Sequence, residues 1–121
     1  CNEDETMKIR AVVLVIFLVP MCALAAKGSD LLKLCESADP TSRQHCEIYV
    51  RGVVQGGLAM QPGLASPTSL LSICVPADVS GPEGRLIFVD YANKNPQDLY
   101  LWDAGLVLLA FSAAFPCQSA E

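Results

Sequence analysis

After Lys27, apolar residues recur at helical spacing along most of the chain. Leu31, Leu34 and Cys35 fall three and four apart behind Ser29 or Asp30, either of which can cap a short helix ending before Ala38-Asp39-Pro40. A second helix opens at Thr41, with Gln44 three residues on completing a capping-box pattern. Its apolar stripe, Cys46, Tyr49, Val50, Val53 and Gly57, has spacings of 3, 1, 3 and 4, which fit a helix and no strand. Gly52 and Gly56 lie one turn apart on it. Each costs up to ~1 kcal/mol in helix propensity, so another backbone is expected to pack close to that face.

Beyond Met60 the pattern breaks. Gln61 to Pro67 reads as a loop, and Ser69 to Val75 is apolar but ambiguous between a short helix and an extended piece. Pro76 to Gly84 is loop again, and Pro82 suits the first turn of a third helix reaching Lys94, with Leu86, Val89 and optionally Phe88 facing inward. Asn95 is expected to cap the last helix, with Pro96 at its first position and Asp98 closing a box with Asn95. Leu99, Trp102, Leu106, Leu109 and Ala113 form its stripe, and Pro116 stops it. The run Ala104 to Phe115 is apolar almost all round and is assigned to the domain's own core in preference to a dimer surface. The expected fold is all-α: one small bundle of four main helices, leaving room for a short fifth.

The segment before this domain reads differently. Lys8 and Arg10 precede an apolar stretch from Ala11 to Val19, and Ala23-Leu24-Ala25 is a small-x-small cleavage site, so residues 7–26 read as a cleaved secretory signal. The uncharged run Ala11 to Ala26 is 16 residues long and holds Pro20, short of the ~20 needed for a membrane span. Cys22 could serve as a lipidation site, but Pro20 and Met21 stand where small residues are required. Residues 1–6 carry three acids, the wrong charge for a signal, and are read as an unstructured or upstream extension. The domain is then 27–121.

Charge and cysteines narrow the function. The chain of 121 residues has a formal charge of −5, and from Lys27 onward there are 6 Lys and Arg against 10 Asp and Glu. That balance argues against nucleic acid or an anionic membrane as partner. Cys35, Cys46, Cys74 and Cys117 form an even set in an exported chain, which favours two disulfides. Their spacings of 11, 28 and 43 contain no C-x-x-C pair for zinc or redox work. Of the three connectivities, Cys35 with Cys46 and Cys74 with Cys117 is favoured, since each pair then ties a helix to its neighbour.

Catalytic groups do not converge in the sequence. His45 and Cys46 are adjacent on a helix and point about 100° apart, so they make a poor thiol dyad. Asp78, Glu83, Asp90, Asp98 and Asp103 are scattered over loops and exposed faces. Tyr49 and Trp102 are expected in the core, Tyr91 and Tyr100 nearer an edge where they could face a partner. No catalytic residue, cofactor site or metal site is expected, and the surface is left to carry a binding function.

The ordered set Leu31-x-x-x-Cys35, Cys46-x-x-Tyr49-Val50-x-Gly52, Ile73-Cys74-Val75-Pro76, Tyr91, Asn95-Pro96, Ala110 and Phe115-Pro116-Cys117 resembles the resistance-associated (Rap/Tai) family of type VI secretion amidase immunity proteins. The resemblance spans nearly all of Lys27 to Cys117. It implies a periplasmic helical protein, often a homodimer, that binds a peptidoglycan amidase effector and blocks its Cys/His active site, partly by inserting a loop. The candidate contacts are Asp78 and Glu83 on the connection Pro76 to Gly84, and Gly63 and Leu64 on the loop Pro62 to Pro67. An acidic loop suits a basic cleft and would mainly raise the association rate. The alternative from another class is a small periplasmic stress chaperone of the acid-response kind, loosened as its carboxylates protonate. An enzyme would need a second His or a metal site.

Overall fold

A computed structural model describes residues 26–60 and 73–117, so the expected signal segment and the loop with Gly63 and Leu64 lie outside the described residues. Four α-helices follow one another: α1 (Gly28–Cys35), α2 (Pro40–Met60), α3 (Gly81–Lys94) and α4 (Asp103–Ala114), with a 3₁₀ turn at Pro96–Asp98 before the last. Each helix packs on the other three.

The helix starts follow from backbone donors seeking acceptors. α1 begins two or three residues earlier than expected and has no side-chain cap; Gly28 N–H donates to the Leu101 carbonyl at 2.8 Å and Ser29 N–H to Leu99 at 3.1 Å. The segment before α4 thereby caps the first helix. α2 is capped by Asp39 and not by Thr41: the Asp39 carboxylate accepts from the Ser42 N–H and Ser42 hydroxyl, both at 2.8 Å, and Pro40 takes the first helical position. The Ser42 N–H bond, chiefly, holds the Asp39 carboxyl below its ordinary value. α3 is capped by Ser80, whose hydroxyl accepts from Glu83 N–H at 3.3 Å.

The core contains Leu31, Val50, Phe88, Ala92, Leu106, Val107 and Phe111 at its centre, together with Cys35 and Cys46. Cys35 and Cys46 are fully buried and bonded to each other, stapling α1 to α2; Cys74 is bonded to Cys117, tying the segment before α3 to the chain after α4. α4 carries no charge between Ala104 and Ala114, packs on all three other helices and buries Leu106, Val107, Ala110 and Phe111 against them.

Several faces differ from the sequence expectation. On α3 the inward row is Gly84, Phe88 and Ala92, and Leu86 is 56% exposed. On α2 the buried row is Cys46, Val50 and Val54, with Tyr49 and Val53 half-buried. Among the described residues nothing lies within 4 Å of where a side chain on Gly52 or Gly56 would begin, so none of their backbone packs there. The close approach is at Gly57, where an added Cβ would stand 2.7 Å from Leu108 Cδ2. The largest difference is in the last helix. Asn95 does not cap it; its side-chain amide donates to Tyr91 O at 2.9 Å, closing α3 instead. The 3₁₀ turn and the bend at Leu99 to Leu101 reset the helical phase, so α4 starts at Asp103 and buries Leu106, Val107, Ala110 and Phe111. Trp102, counted in the stripe, is 73% exposed, Leu109 is only half-buried, and Ala113 faces outward.

Polar cross-links complete the bundle. Arg85 on α3 donates through Nη1 to Cys35 O at 3.0 Å, and its Nε stands 3.4 Å from Glu47 Oε1 on α2, an ion contact without hydrogen-bond alignment. Asn93 on α3 donates to Glu36 at 2.8 Å. The Tyr49 phenol on α2 lies close to the Asp103 carboxylate at the start of α4. Burial, and then Asp103, push the Tyr49 phenol up to about 12. Tyr91, beside Asp98 at 3.3 Å, is raised for the same two reasons, burial first.

Truncating the fully buried Phe88 to Ala should lower unfolding stability by about 3–5 kcal/mol in urea denaturation, whereas Leu86→Ala should cost under about 1 kcal/mol; equal losses would contradict the placement of the α3 face. Graded reduction followed by alkylation and mass spectrometry should label Cys74 and Cys117 before Cys35 and Cys46, because only the second pair is wholly inaccessible to an attacking thiolate. The folded state keeps the Tyr49 proton where the unfolded chain has released it, so this stabilisation is complete below about pH 10 and is lost as pH rises towards about 12. Tyr49→Phe should remove the latest-ionising component of the tyrosinate absorbance titration; an unchanged titration would show that Tyr49 is not the shifted phenol.

Candidate functional site

Residues 73–80 form a strap across one side of the bundle, and both of its ends are fixed. At the start, Ile73 is buried and bridges to Pro116, Cys74 N–H donates to Phe115 O at 3.0 Å, and the Cys74–Cys117 bond closes the same corner. At the end, Ser80 caps α3. Between them the chain turns at Ala77 and Asp78, with Val75 and Val79 packed against the core. Of the ambiguous stretch Ser69 to Val75, the described part, Ile73 to Val75, is extended.

The expected contact residues occupy exposed positions on this feature. Asp78 is exposed at the turn, and Glu83 is exposed on the first turn of α3, five residues further on. Gly63 and Leu64 lie outside the described residues. The remaining carboxylates do not gather into a site: Asp90 pairs with Lys94 at 2.7 Å, Asp98 accepts from Tyr91, and Asp103 lies close to Tyr49 and accepts from the Ala104 N–H. His45 is exposed beside disulfide-bonded Cys46. Among the described residues no group of three or more His, Cys, Asp or Glu is placed to hold a metal ion, and no helix is long and apolar enough to cross a membrane.

Behind the strap lies a cleft of about 340 Å³. Its floor is Val50, Val54, Leu58 and Phe111, its far wall is the strap from Val75 to Gly81, and its rim on α2 is Glu47, Arg51 and Gln55. A shallower depression of about 500 Å³ continues along the same helix past Ile48 and Gly52 and shares Glu47, Arg51, Gln55 and Gly81 with the cleft. Sequence reasoning missed this feature. The signal was present as two rows four residues apart, apolar 50/54/58 beside polar 47/51/55, but nothing in the sequence shows that the strap stands off from them.

Comparison with known proteins gives one positive finding. The sequence model of the Rap1a immunity proteins matches residues 27–117, whereas no curated protein and no solved structure matches. The matched span takes in all four helices, the strap and all four disulfide cysteines. The chain belongs to the Rap1a immunity protein family.

Proposed function

We propose that this chain is a periplasmic immunity protein that binds a peptidoglycan amidase effector delivered by type VI secretion, blocks its active site and so protects the producing cell, acting as a homodimer. The observation that carries the reading is the family match over 27–117, which makes neutralisation of a partner protein the coarse function. The amidase as target follows from the Rap/Tai resemblance of the cysteine framework. Two disulfides suit an oxidising compartment such as the periplasm.

The strap supports a physical route to inhibition. A loop pinned at both ends loses little conformational freedom when it enters a cleft, so less of the contact energy is spent on ordering it. Asp78 at its turn and Glu83 beside it present negative charge, which steers a basic cleft and fixes its orientation. Exposed Ile48, Leu86, Tyr100 and Trp102 provide apolar surface for a second copy or for the effector.

The test is co-expression in the periplasm with candidate type VI peptidoglycan amidases. Protection of the cells and a stable purified complex are expected. Asp78→Lys with Glu83→Lys should slow association by about tenfold at low salt, more than it changes dissociation, while leaving the melting temperature unchanged. Failure of any amidase to form a complex, or unimpeded lysis in the presence of this protein, would overturn the reading.

A further inference from the structure

The trough along α2 has properties that the strap does not explain. The cleft and the depression that continues it share four residues and run from Gln44 to Leu58. That is about 21 Å of helix, the length of roughly six residues of extended chain. Its floor is aliphatic and aromatic, from Val50 and Val54 to Phe111. Gly52 has open space where a side chain would begin, so a second backbone can lie against the helix there. Gln44 and Gln55 line its edge with amide donors and acceptors that can answer a peptide backbone.

Its charge is unusual for this chain. Glu47 on the rim is matched by Arg85 at 3.4 Å, and neither Asp78 nor Glu83 lines the trough. Arg51, which lines both halves, has no ion pair among the described residues. The middle of the trough therefore holds one uncompensated cation in a molecule with a net charge of −5. A guanidinium above an apolar floor is complementary to a carboxylate flanked by apolar side chains, which it can take through two parallel hydrogen bonds.

We propose that the α2 trough is a docking site for an extended protein segment that lays apolar side chains on the Val50–Val54–Leu58 floor and sets a carboxylate on Arg51. A polypeptide fits better than an alkyl acid, because the trough is long, open and edged by amides that a hydrocarbon chain would leave unanswered. The identity of the donor as the neutralised effector rests on the function proposed above; the preference for such a segment rests on the trough alone. The immunity protein then both inserts a strap into its partner and receives a segment from it.

The probe is an acetylated, amidated hexapeptide of alternating leucine and serine with one central serine replaced by aspartate, titrated into the isotope-labelled full chain and followed by heteronuclear NMR. Saturable shifts are expected at Arg51, Gln55, Val79 and Gly81, with the aspartate peptide binding about three- to tenfold tighter than its asparagine counterpart. Arg51→Gln should erase that preference without changing the melting temperature, since the side chain is exposed. No saturable shift in the trough, equal affinity for the two peptides, or decanoate binding as tightly as the aspartate peptide would overturn the proposal. In the effector complex Arg51→Glu should weaken binding at least about tenfold. If the peptide arm fails while the protein still protects cells, the trough proposal falls and the immunity function stands; the reverse pattern would separate them the other way.

Discussion

The structure depends on covering the large apolar side chains of one uncharged helix. From Ala104 to Ala114, α4 carries no charge, and its large side chains are stable only with other elements laid against them. α1, α2 and α3 all pack on it, and Leu106, Val107, Ala110 and Phe111 become the shared centre. A domain this small buries a limited core, and its margin is correspondingly thin. The two disulfides address that margin. By chain entropy the 11-residue link contributes about 3 kcal/mol and the 43-residue link about 4, against a typical total of about 5–15.

The two links serve different parts of the molecule. Cys35–Cys46 is buried within the core and fixes α1 on α2, where Arg85 then reaches the Cys35 carbonyl from α3. Cys74–Cys117 lies at the surface and fixes the corner from which the strap departs. The strap is thus anchored at its first residue by the Cys74 corner, at its last by the Ser80 cap of α3, and between them by Val75 and Val79 on the core. What lies between is free of structural duty on its outer side and can be shaped by a partner.

Legibility in the sequence followed local chemistry. The all-α class and three of the four helices to within two or three residues were readable because proline, capping residues and 3.6-residue spacing act locally; the two links matched the favoured pairing of an even cysteine set, although Cys74 and Cys117 join the segments flanking α3 and α4 and not two helices. The phase of α4 was not. Counting by threes and fours from Leu99 assumed one continuous helix, but Pro96 starts a 3₁₀ turn and the chain bends before Asp103, so Trp102 moved from core to solvent. Leu86 left the expected inward face, and Phe88, only an optional member of it, became its centre for a related reason: both are apolar, and only the position of α4 and Val50 decides which side of α3 is inside. Asp78 and Glu83 could be named as exposed acids, but not that the loop bearing them is tied down at both ends. The trough and the Arg85 contacts join residues up to 50 positions apart and have no local signature.

The central claim is that a tethered strap and the helix face behind it form one recognition surface. Hydrogen–deuterium exchange of the oxidised protein, alone and with its cognate effector, tests this most directly. The account predicts that backbone amides of residues 75–84 and 47–58 become slower to exchange in the complex while α1 is unaffected. Slowing confined to α1, or to the surface around Tyr100 and Trp102 with the strap exchanging as in the free protein, would contradict it.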